Sequence, residues 1–381
     1  MLERLELTGF KSIQKMDLPL RSMNVMIGAN GAGKSNLISF FNLIRHLATR
    51  QLELYVAKRG LDSLLFGGVK ITQEIDASLH FKTYDDVSTS YNFNLGRALS
   101  GGLVFQKEVA IRSISGVIEP EILDFGRGGI EANFLNSDAP IDVFEAEPPF
   151  ADQVRRHLLS CPVFHIHDTS DTSRVMQPGN IDDNQQLKGD FGNLAAFLYA
   201  LEITKPEIYR QIVRQVQQVA PFFLDFDLQP QKLNNKNITL NWKQRGSDVL
   251  CEPWQLSDGT LRMIAMTALL LQPKDNLPEV IILDEPELGL HPFAISLLAG
   301  MLRMVSQHTQ IIVATQSPLL VNEFDPEDVI VVDRSPSESK IGPGESIFRR
   351  LQKNNLEEWL KEYSLGELWQ KNVLGGRPSH E

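Results

Sequence analysis

Apolar and polar residues alternate with a period of two at Ile75, Ala77, Leu79 and Phe81, and again at Tyr91, Phe93 and Leu95. Such alternation marks strands with one buried face. "LVFQKEVAIRSI" (103–114) continues in the same style, so an antiparallel meander with glycine-rich turns is expected from about 52 to 145. A short opening strand is expected around Leu5 and Leu7, with others at "PVFHIHD" (162–168), 222–230 and 237–243. "NVMI" (24–27), "VIIL" (280–283) and "QIIVAT" (310–315) are instead apolar throughout, as in strands covered on both faces. After "NVMI", the stretch "KSNLISFFNLIRHLA" puts apolar side chains at 37, 38, 40, 41, 44 and 47, which is helical spacing. Further helices are expected near 191–203, 205–219 and 293–306, and after 257. The one at 205–219 reads as opening with a capping box from Thr204 to Glu207 and Pro206 in its first turn; its apolar face is Ile208, Ile212, Val216 and Val219. "RSPSESKIGPGES" (334–346) reads as a mobile loop. Strands interleaved with helices predict an α/β fold with a parallel or mixed core sheet, an antiparallel β lobe and a short helical insert.

Composition narrows the class. Of the 381 residues 42% are apolar, which supports a real core and argues against disorder. The formal charge of −11 supplies no global basic field, so any nucleic-acid contact needs a local patch or a partner. Two cysteines, Cys161 and Cys251, lack metal-ligand spacing and fit a reduced, cytoplasmic protein. The longest apolar run, "MIAMTALLL" (263–271), is far too short to span a bilayer.

Chemistry concentrates in two places. "GANGAGKS" (Gly28, Ala29, Asn30, Gly31, Ala32, Gly33, Lys34, Ser35), followed by Asn36, fits the phosphate-loop pattern between a strand and a helix. Glycines let successive N–H groups face a β-phosphate, and the helix N-terminus adds a favourable dipole. Lys34 is expected to reach the β- and γ-phosphates and the Ser35 hydroxyl to bind Mg²⁺. "VIILDEPE" ends an apolar strand in Asp284 and Glu285, at the edge where α/β sheets bind ligands. Asp284 would hold Mg²⁺ and Glu285 would orient and deprotonate the attacking water. A third stretch, "LSDGT" (256–260), has two readings: Ser257 or Asp258 caps a helix, or the helix end also meets a phosphate of another molecule.

Phosphate loop, "LSDGT" and "LDEPE" in this order resemble the ATP-binding-cassette (ABC) heads of the RecF, SMC and OLD-type ATPases. "GFKSI" (9–13) resembles the opening strand of SMC-like heads, and "ELGLHP" (287–292) sits where such heads carry their D-loop. "HIHDTSDTS", "DEPELGLHP", "TQSP" and the tail "YSLGELWQKNVLGGRP" resemble a bacterial family of RecF-like predicted ATPases. The resemblance implies that Ser257, Asp258 and Gly259 form an ABC signature, although Asp258 and Thr260 depart from its consensus. Gln316 stands where ABC proteins commonly place a histidine; it is either a γ-phosphate sensor, able to donate a hydrogen bond but not to take up a proton, or a structural turn residue before Pro318. Gln177 is a candidate for the Q-loop glutamine, in competition with polar residues nearer His167. His165 and His167 share a face of their expected strand and could bind a metal with Asp168, or be satisfied histidines beside the pocket. "GGRP" (375–378), with Lys371 upstream, could touch a phosphate backbone, dock a partner or form a solvated tail.

The same resemblance implies an organisation. Residues 1–184 would form lobe I with the phosphate loop and meander, 185–255 a compact insert without coiled coil, and 256–381 lobe II. Two heads would pair head-to-tail as a homodimer around two ATP molecules, each phosphate loop facing the partner's signature. The expected cofactors are ATP and Mg²⁺. The expected role is an ATP-driven switch or clamp in DNA maintenance or anti-phage defence, with a separately encoded effector such as a nuclease. A slow ATP-binding scaffold without direct DNA contact is the alternative, and a transporter subunit fits least.

Overall fold

A computed structural model describes the chain except for residues 83–86, 99–100, 137–149, 167, 336–343 and 377–381. From the N-terminus run β1 (Leu2–Phe10), β2 (Ile13–Pro19), β3 (Met23–Ile27), α1 (Lys34–Ala48), α2 (Leu52–Arg59) and α3 (Leu61–Leu64). Four long strands follow, β4 (Glu74–Lys82), β5 (Val87–Arg97), β6 (Leu103–Ile114) and β7 (Glu121–Gly126), then α4 (Phe150–Leu159), β8 (Val163–Phe164) and β9 (Gly179–Asn180). The middle of the chain holds α5 (Leu194–Thr204), α6 (Pro206–Val219), β10 (Phe223–Asp227), β11 (Asn237–Ile238), β12 (Asn241–Gln244) and β13 (Leu250–Cys251). The last third holds α7 (Asp258–Leu271), β14 (Val280–Asp284), α8 (Pro292–Val305), β15 (Gln310–Ala314), α9 (Pro318–Val321), β16 (Val329–Ser335), β17 (Glu345–Arg350) and α10 (Leu365–Gln370).

A central sheet has the order β17-β16-β3-β15-β14-β8 and is parallel except where β17 pairs antiparallel with β16. Alternating side chains of its strands divide between two cores. Val25, Ile27, Ile281, Leu283, Ile311, Val313, Val329 and Val331 join the helices α5 to α8 on one face. Met26, Val280, Ile282, Ile312, Ala314, Ile330 and Val332 join α1 and a second, antiparallel sheet on the other. Period-two alternation in strands buried on both sides thus stacks the layers. The antiparallel sheet, order β2-β1-β4-β5-β6-β7, contributes the inward positions Leu5, Leu7, Ile75, Leu79, Tyr91 and Leu95. Register brings Asp284 opposite Ala314 and Ala314 opposite Met26, so the ends of β14, β15 and β3 share one edge.

Several local expectations need correction. Residues 52–64 are largely helical rather than part of the meander. "GFKSI" is the end of β1 and the turn into β2, not one strand. In "PVFHIHD" only Val163–Phe164 are strand, because the next amide, of His165, bonds to the Gly189 carbonyl outside the ladder. Thr204 does not cap α6: its hydroxyl bonds back to the Ala200 carbonyl at the end of α5, and Lys205 takes the cap position without a side-chain bond. The expected loop at 334–346 begins and ends in strand, with Ser335 in β16 and Ser346 in β17; its centre lies outside the described residues.

Candidate nucleotide site

The glycine loop leaves β3 under tight backbone constraint. A Cβ on Gly28 would lie 2.3 Å from the Val332 carbonyl oxygen of β16, so any side chain there would force the strands apart. Gly33 has φ 124° and occupies the N-cap of α1, where a Cβ would meet the Ser346 hydroxyl at 2.1 Å. That hydroxyl also bonds the Ala32 carbonyl, lies 2.6 Å from the Ser12 hydroxyl, and thereby anchors the loop floor. Asn36 Nδ2 donates to Ser12 Oγ at 2.6 Å, and Arg334 Nη1 donates to the Gly31 carbonyl at 3.1 Å. Asn30, Gly31 and Ser35 face solvent, whereas Lys34 is buried.

Lys34 folds back into its own loop, donating to the carbonyls of Gly28 at 2.6 Å and Ala29 at 3.2 Å. Burial lowers its pKa, and the carboxylates of Glu285, Asp284 and Glu287 oppose that shift. The three acids and the lysine are therefore electrostatic neighbours across the sheet edge.

Glu285 is one of few non-glycine residues with positive φ, at 48°. Such backbone costs about 1–3 kcal/mol and needs surroundings that hold it. Its N–H bonds the Ala314 carbonyl at 2.8 Å, continuing the β14–β15 ladder, and its Oε1 accepts from Gln316 Nε2. Glu287, 7% exposed, accepts from the Thr315 hydroxyl and from the Gln316 N–H at 3.2 Å. Burial raises its pKa, and these donors pull the other way. Two acids of "DEPE" thus hold the Thr315–Gln316 segment, one by backbone and hydroxyl, the other by the glutamine amide.

"LSDGT" occupies another part of the frame. Ser257 is the N-cap of α7, its Oγ accepting from Thr260 N at 3.3 Å, and Ser257 and Asp258 are exposed. A Cβ on Gly259 would lie 2.4 Å from the Gly289 carbonyl, so its missing side chain admits the turn after β14. Arg262, 7% exposed, donates to the Leu288 carbonyl at 3.1 Å and to the Ile166 carbonyl at 2.9 Å. One buried cation therefore joins the signature-like helix to the segments after β14 and β8.

Gln177, the Q-loop candidate, lines a cleft of its own among the described residues, about 820 Å³ in volume, with Lys232, Asn241 and Trp254; its amide bonds the Asp171 carbonyl. Asp168 accepts from the amide and hydroxyl of Ser170, while His167 lies outside the described residues. No cluster of three metal-ligating side chains occurs among the described residues. Ser12, Arg334 and Ser346 carry no sequence signal for this site, because the β1–β2 turn, β16 and β17 bring them to the loop from distant parts of the chain. Glu287 and Arg262 were visible only as parts of the D-loop-like and helical stretches.

Residues 23–322 match the family described as "AAA domain, putative AbiEii toxin, Type IV TA system". The chain is 23% identical over 357 residues to the OLD nuclease of Thermus scotoductus, covering 88% of this chain and 62% of that protein. It thus spans less than two thirds of that relative's length. Among solved structures it is similar to an SMC head bound to the C-winged helix domain of ScpA (TM-score 0.56, 17% identity, 93% and 99% of the two chains). It is also similar to an Smc head with an extended coiled coil bound to the C-terminal domain of ScpA derived from Pyrococcus furiosus (TM-score 0.56, 15% identity, 95% and 98%). These likenesses show the phosphate-loop NTPase fold of ABC heads. The chain has the fold of SMC-type ABC heads and belongs to the AAA-domain family above.

Proposed function

We propose that this chain binds ATP at Gly28–Asn36 and hydrolyses it with Glu285 as the base that activates water. The observation that carries this reading is the Glu285–Gln316 contact at the sheet edge, beside the loop that holds Lys34. Lys34 exchanges its bonds to the Gly28 and Ala29 carbonyls for phosphate oxygens, a swap between acceptors that needs no new burial of charge. Free amides at the start of α1 receive the β-phosphate. Gln316, an amide that cannot titrate, fixes the Glu285 carboxylate and offers its N–H to the γ-phosphate when released. Glu287 and Thr315 hold that segment in place.

The exposed Ser35 hydroxyl and the half-buried Asp284 carboxylate are hard oxygen donors, which suits Mg²⁺. The ion would neutralise developing charge on the phosphates. Around it the chain's residues position and exclude, which is most of what phosphoryl transfer requires.

The exposed N-terminus of α7 supports action in trans. Ser257, Asp258 and Gly259 would meet the γ-phosphate of a second copy, giving a homodimer around two ATP molecules. Lobes at 1–184 and 256–381 with an insert at 185–255 would carry these roles. ATP state would then set whether the heads engage. OLD-type and SMC-type likenesses favour a switch in DNA maintenance or anti-phage defence, working with a separate effector such as a nuclease. No helix among the described residues is long and apolar enough to cross a membrane. A steady-state ATPase assay with and without DNA tests the reading. Turnover abolished by Glu285→Gln supports it; normal turnover in that variant removes Glu285 as base, and absence of any ATP-dependent dimer removes the switch.

A further inference from the structure

The tail motif "YSLGELWQKNVLGGRP" has no part in the chemistry above, yet its described residues, up to Gly376, reach both halves of the site. α10 opens with a capping box between Ser364 and Glu367, which fixes where the helix starts. It packs on α9, the helix that begins two residues after Gln316. Gly366 N donates to Asn322 Oδ1 at 2.6 Å, and a Cβ on Gly366 would lie 2.5 Å from the Pro318 carbonyl. Leu365, Leu368 and Trp369 share one core with Leu320 and Val321. Here the tail grips the Gln316 segment.

Past Leu374 the chain turns back onto β16. Arg349 Nη2 donates to the Leu374 carbonyl at 2.7 Å, and Gly376 N donates to Asp333 Oδ1. Gly375 and Gly376 have φ of 82° and 78°, backbone that other residues adopt only under strain. A Cβ on Gly376 would lie 3.1 Å from Val331 Cγ1, 3.2 Å from Trp369 Nε1 and 3.3 Å from Gly28 Cα. Gly28 is therefore enclosed by two backbones, with Val332 on one side and Gly376 on the other. β16 spends three successive residues on this junction: Val332 against Gly28, Asp333 on the tail, Arg334 on Gly31.

We propose that residues 365–376 are a strap that ties the Gln316 segment to the first glycine of the phosphate loop, so that docking of the tail and binding of Mg·ATP favour each other. The proposal rests on the phosphate-loop reading. Linkage makes the coupling reciprocal: a tail that favours the binding-competent loop must itself be held more firmly when ATP is bound.

The test uses full-length chains and Mg·ATP, with affinity by calorimetry and amide exchange over 365–376. In the wild type, Mg·ATP slows exchange across the strap by about tenfold, within the usual range of coupling between sites. Gly376→Val, which places a side chain in the Gly28 contact, weakens Mg·ATP by about tenfold or more. Asp333→Ala removes a single half-buried acceptor and weakens it less; it carries the affinity test if Gly376→Val does not fold. Exchange unchanged by Mg·ATP overturns the strap. So does wild-type affinity, within about twofold, in a variant whose tail exchanges faster. Lys34→Ala separates the two layers: if it keeps its affinity, the phosphate-loop reading fails; if it loses affinity while the tail variants do not, only the strap fails.

Discussion

Two helices start beside the glycine-containing motifs "GANGAGKS" and "LSDGT", and their N-termini differ in kind. α1 begins after Gly33, with no side-chain cap and no acid in its first turn, in a loop held by Ser346 and Ser12. α7 begins after Ser257, which accepts from Thr260 N, and has Asp258 in its first turn. One end is left as an open, positive anion site; the other is already capped and carries its own negative charge. An anion therefore has reason to bind α1 within one chain. At α7 it has reason to bind only when a second molecule supplies further donors and displaces the cap. On the proposed function, this difference would turn a shared motif, small polar residues before a helix, into two functions.

The comparison breaks most visibly at Lys34. Lys34→Ala removes charge-assisted contacts to phosphate, each about 1.5–3 kcal/mol, and should weaken Mg·ATP by more than about 100-fold in calorimetry. Retained micromolar affinity would contradict the open-end assignment. Next is Glu285→Gln, which should bind ATP yet turn over at least about 100-fold more slowly in a phosphate-release assay. Ser257→Ala tests the capped end: losing the bond to Thr260 N should cost about 1 kcal/mol in denaturant unfolding, with ATP affinity unchanged in the monomer. A loss of monomer affinity would place α7 in the chain's own site.

A control lies away from both ends. Glu108 is fully buried, accepts from Tyr91 Oη at 2.9 Å and from Asn133 N at 2.8 Å, and burial raises its pKa. A raised carboxyl pKa means the folded state holds its proton more tightly. Its stabilising effect is full below the ordinary carboxylate value and is lost as pH rises through the folded one. Glu108→Gln, which mimics the protonated acid, should flatten that part of the stability–pH curve and leave ATPase activity unchanged. An unaltered curve would mean Glu108 is charged when buried.

What the sequence revealed follows from distance along the chain. The phosphate loop and the acidic pair are contiguous, so spacing alone exposes them. Buried strands such as β3, β14 and β15 announce themselves as apolar runs because both faces are covered. Ser346 reads as part of a mobile loop, since only the pairing of β17 with β16, and of β16 with β3, brings it under Gly33. β17 and the tail gave weak signals for a similar reason: their partners are β16 and α9, not sequence neighbours. Thr204 misled because Thr-x-x-Glu describes a cap only if a helix does not already run through the threonine. Gly259 carries a different lesson. Its lack of a side chain is fully accounted for by Gly289, so the glycine in "LSDGT" argues for packing before it argues for phosphate.

The account rests on α7 acting across to a partner. Its most direct test is the mass of Glu285→Gln in Mg·ATP, by sedimentation, with and without Ser257→Arg added. The account predicts a dimer for the single variant. For the double variant it predicts a monomer that binds ATP as tightly as the single variant's monomer. A double variant that still dimerises with Mg·ATP would contradict it, and would return Ser257 to being a helix cap.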